Sequence, residues 1–153
     1  MRIVIAVVGR PRNAALATVI REYETRAARY WPLDVHEVRE ERASSVSPAV
    51  VTQREGERLR DRAAGARIVA CDPGGKSFKS EEFSAWLQKE RESGRDTAFV
   101  IGGAYGLSED LLKASTMKLT LAPWTLSHEL ARLVLAEQLY RAGTIIRGEP
   151  YHK

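Results

Sequence analysis

The sequence predicts one α/β domain with a mainly parallel sheet and helices on both faces. Strand and helix signals alternate along the whole chain, an order that pairs strands in parallel. The firmest strand signals are short apolar runs without polar alternation, as expected of strands covered on both sides. The length, 153 residues, is that of one ordinary domain, and 44% hydrophobic with 29% charged residues is a globular composition. No linker, low-complexity stretch or repeat divides the chain, so residues 1–153 are expected to form a single domain.

The elements follow in order. Arg2–Val8 is a β-branched strand, broken by Gly9-Arg10-Pro11-Arg12-Asn13. Leu16, Val19, Ile20, Tyr23 and Ala27 form an apolar stripe on a helix from Ala14 to Tyr30, stopped by Pro32. Leu33–Val38 reads as a strand, and residues 39–47, charged and rich in Ser, as a mobile loop. Ser47-Pro48 caps a helix to about Ala64, with Gly65 past its end. Arg67–Cys71 is a strand followed by the loop Asp72-Pro73-Gly74-Gly75-Lys76. Ser80 caps a helix to about Ser93, and Thr97–Ile101 is a strand running into Gly102-Gly103-Ala104-Tyr105-Gly106. Ser108 opens a short helix, and Lys118–Leu121 is a short strand. Residues 122–126 are irregular, Ser127 caps a long helix to about Ala142, and eleven residues remain as a tail.

Cys71 is the only cysteine, which excludes an intrachain disulfide and a cysteine-rich metal site and fits the reducing cytosol. No apolar run approaches a membrane span, and Met1–Val8 reads as a buried strand, not a signal peptide. The net charge of +4 is carried by the first half: residues 1–70 hold 13 Lys/Arg against 9 Asp/Glu, and residues 71–153 hold 11 of each. Arg outnumbers Lys 18 to 6, and its fork suits phosphate. This charge permits nucleic-acid binding without demanding it.

Ligands of open α/β sheets bind beyond the carboxyl ends of strands. Three such ends stand out: Cys71 to Lys76, Gly102 to Gly106 and Leu121 to Leu126. Dinucleotide and phosphate-loop fingerprints are absent, and Gly74-Gly75-Lys76-Ser77 lacks the first Gly of the latter. There is no Ser nucleophile elbow and no spaced carboxylate pair. Backbone-rich loops with few acid–base groups suit a reaction whose cofactor carries the reactivity, such as methyl transfer from a sulfonium.

Two stretches make this specific. Phe99-Val100-Ile101-Gly102-Gly103-Ala104-Tyr105-Gly106-Leu107-Ser108 resembles the glycine loop of the RlmH family, small methyltransferases of the SPOUT class. Leu121-Ala122-Pro123-Trp124-Thr125-Leu126-Ser127-His128-Glu129-Leu130 resembles their second cofactor loop. The helix Arg132–Ala142 and the tail Pro150-Tyr151-His152-Lys153 also match, and the resemblance covers the chain, most strongly from residue 67 onward. It implies a trefoil knot in the C-terminal half, a homodimer, S-adenosylmethionine as cofactor, and methylation of N3 of a pseudouridine in 23S ribosomal RNA on the assembled ribosome. It places the cofactor at Cys71, Gly102, Leu121, Ala122, Pro123, Trp124, Thr125 and Leu126. Trp124 is open between adenine contact and plain packing.

Many family members have Pro-Glu where this chain has Ala104-Tyr105, which removes a carboxylate near the pocket. N3 of pseudouridine must lose a proton before it attacks, and general bases contribute about 10²–10⁴-fold. The resemblance leaves His128, His152 and Tyr151 as the catalytic candidates, with a cap or packing role open for His128. Arg132, Arg141 and Lys153 are the candidate RNA contacts. The dimer is expected through the helix after Ser127, with Leu130, Leu133, Val134 and Leu139 on its apolar face. Rival readings are a non-catalytic RNA-binding module and a SPOUT enzyme acting on transfer RNA. No metal site is expected.

Overall fold

The computed structural model describes residues 1–42, 44 and 46–153, so part of the loop expected over residues 39–47 (Ala43 and Ser45) lies outside the described residues. Five strands, β1 (Ile3–Val8), β2 (Leu33–Val38), β3 (Arg67–Lys76), β4 (Thr97–Ile101) and β5 (Met117–Leu119), pair in the order β2-β1-β4-β3-β5. Every pairing is parallel. The helices are α1 (Ala14–Ala27), α2 (Pro48–Arg62), α3 (Ser80–Glu92), α4 (Glu109–Ala114) and α5 (His128–Ile146).

The period of two sorts the central strands between two cores. Ile3, Ile5 and Val7 of β1, with Val69, Phe99 and Ile101, face α1, α3 and α5. Val4, Ala6 and Val8, with Ala70, Ala98 and Val100, face α2 and α4. Both faces being covered, β1 and β4 are apolar at nearly every position, and this is why they read as continuous runs.

Caps set the helix starts. Asn13, Ser47, Ser108 and Ser127 each accept from the backbone N–H three residues on. The expected cap at Ser80 is corrected by one residue: Lys79 is the cap, its N–H donating to Glu82 at 2.8 Å. The Ser80 hydroxyl instead reaches Gln138 of α5 at 2.9 Å.

Two elements exceed their expected bounds. Residues 72–76, expected as a flexible loop, continue β3 through a bulge, with Cys71 and Lys76 both paired to Leu119. Thr120 N–H donates to Lys76 O at 3.0 Å, and a Cβ on Gly75 would stand 2.6 Å from the Leu119 backbone. Glycine is needed here for close passage over β5. Helix α5 continues to Ile146, past Gly143, which is buried under Tyr30 so closely that a Cβ there would stand 2.3 Å from Tyr30 Cγ.

The candidate cofactor cleft

The strand order brings the carboxyl ends of β4, β3 and β5 side by side. Edge strand β5 is followed by residues 120–127, which return across those ends into α5, packed between α1 and α3. A cleft of about 590 Å³ opens between this returning segment and the ends of β3 and β4. Cys71, Gly102, Leu121, Ala122, Trp124, Thr125 and Leu126 line it, joined by His128. Pro123 is exposed and is not among the lining residues. The size suits one small-molecule cofactor.

The glycine loop has an internal reason for its residues. Gly106 N–H donates to Gly103 O at 3.0 Å, and Gly106 has φ +77°. A Cβ on Gly102 would lie 2.5 Å from the Gly106 carbonyl. Gly102 is therefore required by the turn itself, whatever it also admits at the cleft. Opposite, Thr120 Oγ1 donates to Ala122 O at 2.5 Å and shapes the irregular segment. Together the two loops present backbone groups and apolar side chains.

Titratable groups are few. Among the lining residues they are Cys71, Asp72, Tyr105 and His128. Burial pushes the Cys71 thiol up to about 12, so it is an inert apolar wall and not a nucleophile. Asp72 accepts from Gly74 N–H at 2.9 Å and holds the bulge. His128, the first residue of α5, stands beside Gly9 at the end of β1. Trp124, 77% exposed, and Tyr105, 49% exposed, stand at the rim.

The tail residues are not at the cleft of their own chain. Tyr151 O–H donates to Glu137 at 3.0 Å, and its ring lies against Tyr140 and under the Arg141 guanidinium. His152 sits 3.2 Å from Arg141 and 3.0 Å from Glu81. Glu137 is nine residues beyond His128, roughly 14 Å along the helix at 1.5 Å per residue. The structure thus separates His128 from Tyr151 and His152 within one chain. Burial, with hydrogen bonding to Tyr23 and Glu137, pushes the Tyr151 phenol well above its usual value, so it acts as a donor and not a base. Sequence reading missed Glu137, the residue that gathers Arg141 and Tyr151; only its i,i+4 spacing to Arg141 was a signal.

The basic candidates divide. Lys153 is exposed. Arg141 is forked onto Glu137 at 2.6 and 3.1 Å. Arg132 is 5% exposed: its guanidinium binds Glu24 at 2.6 and 3.2 Å and Glu37 at 2.8 Å. Burial opposes its charge, but these hydrogen bonds outweigh that and keep it a cation. The expected RNA contact at Arg132 is corrected to an internal clamp from α5 to α1 and β2. Leu139, expected at a dimer interface, is wholly buried in its own core, whereas Leu130 is 40% exposed.

A parallel sheet with a backbone-lined cleft beyond three adjacent strand ends, poor in acid–base groups, suits a cofactor-dependent group-transfer enzyme. A family model described as a predicted SPOUT methyltransferase matches residues 1–152. A Gemmatimonas aurantiaca protein named ribosomal RNA large subunit methyltransferase H is 60% identical over the full length of both chains. A protein of the same name from Anaeromyxobacter is 41% identical, again over both full lengths. Among solved structures, a probable methylase from Haemophilus influenzae superposes with TM-score 0.56 at 13% identity, covering 99% of this chain and 70% of that one. A tRNA (m1G37) methyltransferase from Aquifex aeolicus gives 0.53 at 12% identity, covering 100% and 74%. The chain belongs to the SPOUT methyltransferases and, within them, to the RlmH family.

Proposed function

We propose that this chain is an S-adenosylmethionine-dependent methyltransferase that modifies N3 of a pseudouridine in 23S ribosomal RNA on the assembled ribosome, acting in the cytoplasm as a homodimer. The observation that carries this is the cleft: backbone-rich, largely apolar, and built by the three segments expected to hold the cofactor. Full-length similarity to proteins named for the large ribosomal subunit supports the substrate. Among the described residues no helix is long and apolar enough to cross a membrane. The return of the chain from edge strand β5 across β3 and β4 into α5 supports a trefoil knot.

Bound in the cleft, S-adenosylmethionine supplies a methyl group on a sulfonium. The residues' work is positional. Residues 121–126 would offer backbone groups and Leu side chains to the adenine, with Gly102–Gly106 on the other side of the cleft. Leu130 and the exposed flank of α5, with Leu133 and Val134, fit a two-fold contact with a second copy. In that dimer the tail reaches the partner's cleft, and its Tyr–His–Lys grouping suits an RNA base and its phosphate. Glu137 and Arg141 fix Tyr151 and His152 as one unit, leaving His152 or His128 to accept the N3 proton.

The test is methyl incorporation from labelled cofactor into 70S ribosomes, separate subunits, free ribosomal RNA and transfer RNA. Incorporation at a single pseudouridine of intact particles is the expected outcome. Labelling of transfer RNA alone would establish the other SPOUT reading. Failure to bind the cofactor in calorimetry would leave the non-catalytic RNA-binding module.

A further inference from the structure

Nearly every aromatic ring in this chain has a partner. Of the three Phe, three Trp and five Tyr, all but two lie against another ring or a cation. Trp31 takes the Arg91 guanidinium at 4.0 Å, and the rings of Tyr140 and Tyr151 meet with centres 4.5 Å apart. The two rings with neither kind of partner among the described residues are Tyr105 and Trp124. They are also the two aromatics among the exposed large apolar side chains, and both line the cofactor cleft. Single exposed apolar residues need no account, but two unpartnered rings on one rim do.

Each ring is carried on a braced loop. Tyr105 sits in the glycine loop after β4, where a Cβ on Gly103 would stand 2.9 Å from Glu55 and 3.0 Å from Val8. That loop rests on α2 and β1 and cannot sink. Trp124 sits in the segment after β5, held by Thr120 Oγ1 on Ala122 O and by the Ser127 cap, which accepts from Leu130 N–H at 3.3 Å. Aromatic faces on fixed loops offer contact at little cost in conformational entropy. The cofactor does not use them up. Cys71, Ile101, Leu121, Leu126 and Ala131 already line the cleft with apolar surface, and Trp124 leaves 77% of its own in solvent. A second copy is matched to the flank of α5, and Tyr105 lies on no part of that helix. The remaining visitor to this rim is the substrate base. To be methylated, its N3 must come within about 3–3.5 Å of the methyl group, so the ring has to leave its stack in the RNA. Aromatic side chains replace the lost neighbours of a displaced base.

We propose that Tyr105 and Trp124 are the two faces that receive the target nucleotide: the displaced base enters the mouth of the cleft between them and stacks on both, its N3 edge turned inward. The proposal rests on the RNA substrate put forward above. Stacking reads the flat face of a ring and none of its hydrogen-bonding edge. The pair therefore sets where the base lies, and leaves proton transfer and the choice of base to other groups.

The test uses the full-length protein and intact 70S ribosomes. Tyr105→Ala and Trp124→Ala should each raise KM for ribosomes about tenfold or more, the worth of a base–aromatic stack. Tyr105→Phe and Trp124→Phe keep a face and should stay within about threefold of wild type. Cofactor affinity by calorimetry and subunit mass should be those of wild type in all of these variants. A second arm needs no activity: Tyr105→p-benzoylphenylalanine and Trp124→p-benzoylphenylalanine should photo-crosslink to one and the same stretch of 23S ribosomal RNA. Such crosslinks from a protein whose wild type transfers no methyl would sustain the two faces and sink the proposed reaction. Methyl transfer by wild type, with KM unmoved in both Ala variants, would overturn the two faces alone. Lost cofactor affinity in Trp124→Ala would make that ring a wall of the cofactor pocket, and a monomeric mass would make it a subunit contact; either result overturns the proposal. So would crosslinks to the partner subunit, to scattered RNA sites or to nothing.

Discussion

Replacing Arg132 with Met distinguishes an internal clamp from an RNA contact. Met keeps much of the aliphatic stem and removes the charge, so packing loss is kept small. Glu24, whose side chain is only 12% exposed, would lose both bonds to the guanidinium. Glu37 would keep Arg10 at 3.3 Å and more contact with water. The cost therefore falls mainly on Glu24. Breaking a buried pair by removing one partner costs about 3–5 kcal/mol, and the partial hydration of both acids favours the lower end, about 3 kcal/mol. With a urea dependence of about 2 kcal/mol per molar, the unfolding midpoint should fall by roughly 1.5 M. All variants must be compared at one protein concentration, because dimer association adds to apparent stability. Adding Glu24→Gln to the Met variant should recover more than half of the loss. A Met variant within about 0.5 kcal/mol of wild type, with a raised KM for ribosomes, would refute the clamp and return Arg132 to the RNA.

Other outcomes follow from the same geometry. Gly102→Ala places a Cβ 2.5 Å from Gly106, so the loop must shift; cofactor affinity by calorimetry should fall about tenfold or more with helical circular dichroism unchanged. Mixing Gly102→Arg, whose side chain would fill the cofactor's place and leave no working pocket, with a truncation after Glu149 should restore about a quarter of wild-type methyl transfer, since half of randomly exchanged dimers hold one working site. No recovery, with exchange confirmed by mass, would assign the tail to its own subunit. Burial pushes the Glu55 carboxyl above its usual range, so Glu55→Gln should be the more stable form at neutral pH. The raised carboxyl makes the folded state bind more protons, so wild-type stability falls as pH rises above the unfolded value of about 4.3, and the advantage should vanish in urea titrations below it.

Strand and helix order was legible because β1 and β4 are continuous apolar runs and because capping side chains are local signals. The segments lining the cofactor cleft were legible too, since glycines and irregular stretches directly after strands are visible in one dimension. What was not legible depends on partners far along the chain. Pro73-Gly74-Gly75 reads as a loop, and only β5, more than forty residues on, makes it a strand. Gly143 reads as a helix stop until Tyr30 is placed against it. Arg132 lies 108 residues from Glu24 and 95 from Glu37, and no local pattern announces that clamp.

These long-range features concentrate around one helix. Helix α5 begins at the cofactor cleft with His128 and packs on α1 and α3. Arg132 ties it to Glu24 and Glu37, Trp31 Nε1–H donates to its Leu139 carbonyl at 2.9 Å, and Gly143 lets Tyr30 close against it. Near that last turn Tyr30 also bonds Glu149, directly before the tail. The helix is thereby held at its beginning, middle and end by groups from α1, β2 and the α1–β2 turn. Such fixing suits a rod that must present a cleft at one end and a tail network at Glu137 and Arg141 some way along it. If two copies pair through its exposed flank, the distance between each cleft and the partner's tail is set by the rod and its crossing angle. Loosening Arg132 would then reduce methyl transfer even where the variant remains folded, through displacement of the tail and with the cofactor still bound.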